Sequence, residues 1–275
     1  MDFGLPAGEL LLLLGLMVVG GLAMGVLAGL LGIGGGGILV PILYEIFSAI
    51  GVDEAVLMHM CVGTSLAIIM PTSIRSFYSH KAKGAADMDI IRSMAIPVVL
   101  GVVIGALVAR YSNTTVLTAI WAGAAGAMSL KMFFGRESWK LGDQIPGNPW
   151  RSFYGLFIGA ISTLMSIGGG AFVTMMMTLY GRPIHQAVGT SSGFGPMIAI
   201  PGTLGFIWAG WGVAGTPPGS LGYVSLLSAL IIVPVSVLAA PLGVRFAHGI
   251  SRRNLELAFA VFLALISLRF IWTLL

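Results

Sequence analysis

Two short hydroxyl-bearing motifs are the most distinctive chemical feature of the sequence. The segments His59-Met-Cys-Val-Gly-Thr-Ser65 and His185-Gln-Ala-Val-Gly-Thr-Ser191 are identical at five of seven positions. Hydroxyl groups can donate hydrogen bonds to the oxygens of an anion, and the glycine lets the backbone come close. We therefore predict that four hydroxyl groups contact a bound anion: those of Thr64, Ser65, Thr190 and Ser191. The alternative is that they bond back to helix carbonyls one turn earlier, which is frequent in membrane helices.

Two glycine runs stand upstream of these motifs. They read Gly32-Ile-Gly-Gly-Gly-Gly37 and Ser166-Ile-Gly-Gly-Gly-Ala171, and each interrupts an apolar stretch. A helix that starts after such a run presents free N–H groups and a partial positive charge, which suits an anion. We predict that the glycines of the two runs bind it: Gly34, Gly35, Gly36, Gly37, Gly168, Gly169 and Gly170. Close helix packing through small residues is the alternative.

The remaining reactive side chains indicate a binding protein rather than an enzyme. His59 and His185 begin the two motifs and could couple proton movement, since a histidine titrates near physiological pH; a structural role near the headgroups is the alternative. Cys61 is the single cysteine, with Ala187 at the matching position. Too few ligands are present for a metal site. We expect no catalytic residues, no metal and no cofactor.

The composition requires a membrane environment for these residues. Of the 275 residues, 57% are hydrophobic and only 9% are charged, whereas an ordinary soluble domain has about 25% charged residues. The net charge of +4 comes without a cluster of five basic residues, so no nucleic-acid partner is expected. We expect the lipid bilayer and a small anion as partners, and the oligomeric state is not predictable from the sequence.

Turn formers and charges divide the chain into ten apolar segments. The predicted boundaries are 7–31, 36–50, 55–75, 91–110, 114–134, 152–166, 170–180, 185–210, 220–246 and 254–273. About 20 apolar residues are needed to cross a bilayer, so the short second and seventh segments either cross fully or form arms of re-entrant hairpins. Pro71, Pro196 and Pro201 are expected to kink or break the third and eighth segments. The sequence thus predicts an all-α polytopic membrane protein with about 8–10 transmembrane helices.

The motifs occur in the same order in both halves of the chain. Ile96-Pro97 is also echoed by Val233-Pro234, and Leu130-Lys131 by Leu268-Arg269. We interpret this order as a duplication with glycine-broken helices in each copy. The predicted parts are a first transmembrane repeat, a cytoplasmic linker and a second transmembrane repeat, at residues 1–134, 135–151 and 152–275.

The positions of the basic residues predict that the two repeats are inverted. Cytoplasmic loops are enriched in lysine and arginine. Four regions placed on that side account for 11 of the 14 basic residues: Arg75, Lys81, Lys83, Arg92, Arg136, Lys140, Arg151, Arg182, Arg245, Arg252 and Arg253. Both termini are then periplasmic and the halves face opposite ways. Inverted repeats with broken helices are typical of secondary transporters that work by alternating access.

At these motifs the sequence resembles the TauE/SafE family of membrane proteins, which are sulfite exporters of the DUF81 type. The resemblance rests on the first glycine run with Pro41, on the second run and on the two Val-Gly-Thr-Ser segments. His80-Lys-Ala-Lys-Gly84 with Asp87, and Pro218-Gly-Ser-Leu-Gly-Tyr223, are also similar, so the match covers essentially the whole chain. The resemblance implies export or uptake of a small sulfur-containing anion, such as sulfite, sulfoacetate or another organosulfonate, across the bacterial inner membrane, and we expect an exporter. It also implies that the glycines and hydroxyls named above contact this anion.

Three alternatives stay open from the sequence alone. A passive anion channel could use the same repeats. A membrane sulfur-relay protein would use Cys61 as a nucleophile, and a pure scaffold would bind no anion. The exact substrate, the direction of transport and the coupling ion are not predictable from the residues.

Overall fold

The computed structural model describes residues 7–31, 36–135, 139–246 and 252–275. These residues form helices α1 to α11 and one antiparallel two-stranded hairpin, β1–β2. The helices are α1 (Ala7–Leu31), α2 (Gly36–Ala49), α3 (Glu54–Ala82), α4 (Met88–Tyr111), α5 (Thr114–Phe134), α6 (Trp150–Met165), α7 (Gly170–Leu179), α8 (Ile184–Ser192), α9 (Phe194–Ala209), α10 (Leu226–Phe246) and α11 (Arg252–Leu274). The strands are β1 (Ser220–Leu221) and β2 (Val224–Ser225). The predicted all-α architecture is confirmed.

The helices have the length and the surface of a membrane protein. Among the described residues, α3, α4, α5 and the Glu256–Leu274 part of α11 are long and apolar enough to cross a bilayer. Four shorter apolar helical stretches accompany them: Leu11–Val26, Gly36–Ala49, Gly170–Leu179 and Leu226–Leu242. Large apolar side chains are exposed on the outside of the bundle, as at Leu238, where 77% of the side-chain surface is free. Such a surface is stable against lipid and not against water.

Helices α6 and α7 form a hairpin whose two arms lie side by side. The Tyr154 hydroxyl, near the start of α6, is 3.0 Å from the Tyr180 hydroxyl at the end of α7. The Leu141 N–H, in the segment that leads to α6, donates to the Leu179 carbonyl at 2.8 Å. The 10 residues of α7 span about 15 Å at 1.5 Å per residue, half of a bilayer core. The seventh predicted segment is therefore a return arm and not a crossing.

Helices α1 and α2 are arranged in the same way. A β-carbon added to Gly20 of α1 would lie 2.9 Å from the Cγ2 atom of Ile42 in α2, so the two arms pack directly. Helix α2 has 14 residues and is about 21 Å long. This is shorter than the bilayer core, which is about 30 Å thick.

Helix α3 lies at the centre and runs antiparallel to α9. Phe206 packs at Gly63, Leu66 at Gly202, and Ser73 at Gly195, so the residue numbers rise on one helix as they fall on the other. The first Val-Gly-Thr-Ser motif lies on α3 and the second on α8, so the helix that follows the second motif runs antiparallel to the helix that carries the first.

The ends of the helices define two ends of the molecule. At the β-hairpin end, the Thr114 hydroxyl donates to the Ala55 carbonyl at 2.9 Å and a guanidinium nitrogen of Arg110 donates to the Trp208 carbonyl at 3.0 Å. At the opposite end, which we call the linker end, Arg253 donates to the Met132 carbonyl at 2.8 Å. Basic residues of several segments lie near helix termini on this side: Lys81, Lys83, Arg92, Lys140, Arg151 and Arg253.

Three predicted segments differ from the structure in their boundaries. Helix α3 continues through Pro71 to Ala82, and just after the proline the Thr72 and Ser73 hydroxyls donate to the Ile69 and Met70 carbonyls. The eighth segment is divided at Gly193, three residues before Pro196, which then falls in the first turn of α9, where proline is tolerated. The ninth begins at Leu226, since residues 220–225 contain the β-hairpin.

Two pairs of helices make close backbone contact through glycine. A β-carbon at Gly25 of α1 would collide with the Ser236 carbonyl of α10, and one at Gly159 of α6 would collide with the Val98 carbonyl of α4. Gly21 and Gly155 stand four residues earlier and also face α10 and α4. Each half therefore has a Gly-x-x-x-Gly surface, the spacing that lets membrane helices approach closely.

Candidate anion site

The tips of the two helical hairpins meet near the middle of α3. We call Gly36–Gly37 the first tip and Ser166–Gly169 the second tip. A β-carbon at Gly36 would collide with the Ser166 carbonyl oxygen. The side chain of Ile69 lies against both tips: a β-carbon at Gly36 would collide with it, and one at Gly168 would lie 3.5 Å from it. The described end of the first glycine run is therefore brought against Ser166 and Ile167 of the second.

Each tip leads directly into the start of a helix. Helix α2 begins at Gly36 and α7 at Gly170, and Gly169 is the N-cap residue of α7 with φ of 75°. The left-handed conformation at Gly169 suits glycine, which has no β-carbon to clash. The first N–H groups of a helix have no partner within it, so two helix starts of partial positive charge face one region.

Three buried serines without hydrogen-bond partners surround the tips. Ser65, Ser162 and Ser166 each have a relative exposure of 0%, and their hydroxyl oxygens have no partner among the described residues. The Ser162 hydroxyl lies 3.8 Å from the position of a β-carbon at Gly169. Ser65 lies one helical turn before Ile69, which places it on the face of α3 that meets the tips. Buried hydroxyls are normally hydrogen-bonded, so three exceptions at one place need an explanation.

The threonines of the two motifs hold the halves together. Thr64 Oγ1 accepts a 2.9 Å hydrogen bond from the Ser225 N–H just before α10, and Thr190 Oγ1 accepts one of 2.9 Å from the Asp87 N–H just before α4. Both threonines are fully buried. Each hydroxyl keeps its own hydrogen for donation, so the prediction that the threonines contact an anion stays a prediction.

The glycine before each threonine makes the same contact possible. A β-carbon at Gly63 would collide with the Tyr223 carbonyl, and one at Gly189 with the Ala85 carbonyl. Each carbonyl lies two residues before the N–H that the threonine binds. Each Val-Gly-Thr-Ser motif therefore forms an interlocking contact with the segment before a helix of the other half. We call these contacts the Thr64 joint and the Thr190 joint.

The serines that follow the threonines have unequal surroundings. The Ser191 hydroxyl donates to the Val188 carbonyl at 2.9 Å and accepts from the Thr174 hydroxyl at 3.0 Å. The alternative considered for these hydroxyls, a hydrogen bond to a helix carbonyl one turn earlier, therefore occurs at Ser191. Ser65, its counterpart, makes neither kind of bond.

The two motif histidines also differ. His59 is buried, and its Nε2–H donates to the carbonyls of Ala109 at 2.9 Å and Ser112 at 3.1 Å, where α4 ends. Its ring packs against Tyr223 with centroids 4.8 Å apart. His185 is exposed at the start of α8. His59 therefore caps a helix, and proton coupling by either histidine stays a prediction.

The remaining predicted site residues have simpler surroundings. Gly34 and Gly35 lie outside the described residues. Gly37 faces Phe259 and Ile167 at ordinary contact distances. Cys61 and its counterpart Ala187 are both fully buried. Among the described residues, no group of three potential metal ligands occurs.

Sequence reasoning missed Ser162 and the Gly-x-x-x-Gly surfaces. Ser162 belongs to no repeated motif, so only its burial and its position beside Gly169 reveal it. The Gly-x-x-x-Gly surfaces could have been recognised from the sequence. Gly21 and Gly25 precede the first glycine run at the same spacing as Gly155 and Gly159 precede the second.

The fold and these contacts define a polytopic helical membrane protein with two helical hairpins that meet at their tips, and comparison with known proteins gives its class. Residues 17–270 match the model of the sulfite exporter TauE/SafE family. The chain belongs to this family and is a membrane transporter.

Named relatives agree with that assignment. A probable membrane transporter protein of Haemophilus influenzae is 33% identical over 256 residues, covering 92% of this chain and 95% of the relative. One of Methanocaldococcus jannaschii is 29% identical over 264 residues, covering 94% and 96%. A third, YunE of Bacillus subtilis, is 24% identical over 277 residues, covering 94% and 97%. No solved structure matches the chain.

Proposed function

We propose that the protein is a secondary transporter that exports a small sulfur-containing anion, such as sulfite or an organosulfonate like sulfoacetate, by alternating access. The observation that carries this proposal is the meeting of two hairpin tips at the centre of the bundle. Two helix starts lie there, with three serine hydroxyls that have no hydrogen-bond partner among the described residues. Non-helical backbone, such as that of the second tip, is tolerated inside a bilayer where it is buried in protein or lines a cavity. The activity needs no enzymatic step, metal or cofactor.

The nature of the site supports an anion. No Asp, Glu, Lys or Arg belongs to the described residues of the two tips, so the attraction comes from N–H groups and hydroxyls. Helix starts bind anions through backbone N–H groups and the helix dipole. The description of the family as sulfite exporters supports a sulfur oxyanion as the cargo.

The relation between the halves supports alternating access. Helix α1 packs on α10, and its counterpart α6 packs on α4. Helix α3 is antiparallel to α9, and the Thr64 joint repeats the Thr190 joint with the roles of the halves exchanged. These matched contacts support inverted repeats at 1–134 and 152–275, joined by a linker at 135–151. Two such halves can rock around a shared central site.

The charge distribution supports one orientation in the bacterial inner membrane. The basic linker end is then cytoplasmic, and the β-hairpin end and both termini are periplasmic. Cysteine labelling can test this, because the native Cys61 is fully buried. In intact cells an impermeant maleimide should label Ala214→Cys near the β-hairpin and not Lys140→Cys in the linker. The reverse pattern would contradict the orientation.

Counterflow in proteoliposomes tests the transport mechanism. Vesicles loaded with unlabelled sulfite should accumulate labelled sulfite transiently above equilibrium, because a carrier exchanges solute through one alternating site. A channel would show saturation-free flux without that overshoot. Gly36→Ala, which brings the first tip into collision with Ser166, should reduce exchange strongly. Gly123→Ala in α5 is the matched control, since its β-carbon would meet nothing within 4 Å.

A further inference from the structure

Ser166 occupies a backbone position that favours glycine. It is the one non-glycine residue with positive φ among the described residues, at 55°. Its N–H donates to the Thr163 carbonyl and the Ile167 N–H donates to the Ser162 carbonyl, which is the Schellman arrangement that ends α6. Glycine is the usual residue at this position, and the matching residue in the first glycine run is Gly32. A side chain here is unfavourable for the backbone.

The Ser166 hydroxyl does not offset this cost with a hydrogen bond in the described part of the chain. It is fully buried and has no partner among the described residues. A buried hydroxyl without a partner lowers stability. Strain and an unsatisfied polar group at one residue are typical of a site that binds a ligand.

Ser162 and Ser65 are also fully buried, and their hydroxyls also have no hydrogen-bond partner among the described residues. Ser162 lies four residues earlier, and its hydroxyl is directed toward Gly169, the N-cap residue of α7. Ser65 approaches from α3, on the face whose Ile69 touches both tips. Ser162 and Ser166 thus lie beside the start of α7, and Ser65 lies one helical turn before Ile69, which contacts the same tip.

We propose that Ser65, Ser162 and Ser166 form one subsite in which three hydroxyl groups donate to the three oxygen atoms of a sulfite or sulfonate group. This inference rests on the proposed transport of a sulfur-containing anion and adds the recognition of the SO₃ group. A carboxylate has two oxygens in one plane, so it cannot place one oxygen opposite each of three donors. The subsite therefore selects sulfoacetate over malonate, its dicarboxylate analogue.

Ser166→Gly separates ligand binding from folding. Glycine relieves the left-handed backbone, so the variant should unfold at the same temperature as the wild type or higher without anion. Its KM for sulfite and sulfoacetate should rise about tenfold or more, because a hydrogen bond to a charged group is lost. Ser162→Ala, in regular helix, should show the same rise in KM. In both variants the thermal stabilisation by these anions should shrink.

Ser73→Ala is the matched control, since this α3 serine is buried but its hydroxyl already donates to the Met70 carbonyl at 2.9 Å. It should keep the wild-type KM. The subsite is wrong if Ser166→Gly and Ser162→Ala both keep the wild-type KM and thermal stabilisation, or if malonate competes as well as sulfoacetate. If the wild type itself neither transports nor is stabilised by any of these anions, the proposed function fails as well.

Discussion

At the scale of single residues, the buried hydroxyl groups have two kinds of hydrogen-bond surroundings. Thr64 and Thr190 accept backbone N–H groups of the opposite half, so their oxygens are part of the folded structure. Ser65, Ser162 and Ser166 are equally buried, and their hydroxyls have no such partner in the part of the chain that the structure describes. Thr64 and Ser65 therefore differ in their hydrogen-bond surroundings, although the repeated motif presents them as one unit.

Thr64→Val should destabilise the protein. Valine has the same shape but cannot accept the Ser225 N–H, and a buried N–H without a partner costs about 1–3 kcal/mol. Thr64→Ser keeps the acceptor and should be much less affected. Thermal unfolding of the purified protein in detergent measures the difference, and equal stability of Thr64→Val and wild type would show that the bond contributes little.

At the scale of helices, close contact through glycine determines how the two halves interlock. Gly25 and Gly159 let α1 and α6 approach the carbonyls of α10 and α4. Gly63 and Gly189 do the same at the two joints. Backbone contacts of this kind leave no room for a methyl group, so the crossings are fixed by position rather than by side-chain shape.

Gly25→Ala should destabilise the contact between α1 and α10 by about 1–3 kcal/mol, since the added methyl group overpacks against the Ser236 carbonyl. Gly159→Ala should have a similar effect on α6 and α4. Gly15→Ala is the control in α1, because its β-carbon would meet nothing within 4 Å and alanine favours a helix. Unfolding temperatures should fall for the first two variants only. A stable Gly25→Ala protein would mean that the helices can separate without cost.

The sequence predicted the elements well, because their signals are local. Apolar length and turn residues placed most helices within a few positions. The polar end of α3 and the division at Gly193 were missed, since both depend on contacts with other helices. The predicted match between Pro97 and Pro234 is offset by one residue. Pro97 lies against Gly155, whereas the matching glycine, Gly21, lies against Val235, the residue after Pro234.

The candidate site was predictable only in part. Repetition pointed to the glycine runs and to the Val-Gly-Thr-Ser motifs, and the described glycines of the first run do contact the second run, at Ser166 and Ile167. Repetition could not separate hydroxyls that bind the opposite half from hydroxyls left without a partner, because that depends on how the two halves pack. The difference between Ser65 and Ser191 arises from Thr174 of α7, which no local pattern brings near.

At the scale of the whole molecule, the two joints lie toward opposite ends of the bundle. The Thr64 joint is at the β-hairpin end and the Thr190 joint is at the linker end, with the hairpin tips between them. Both joints are formed in this structure. A rocking motion that opens one joint while the other stays closed would expose the central site to one side at a time, as the proposed mechanism requires.

Locating a bound anion tests the central claim most directly. Selenite, the heavier analogue of sulfite, can be placed by its anomalous X-ray scattering in crystals of the protein. We expect one strong selenium peak between the hairpin tips, within hydrogen-bonding distance of the Ser162 and Ser166 hydroxyls and close to the start of α7. A selenite ion found only at the surface or only at the basic linker end, in protein that transports sulfite, would contradict this account.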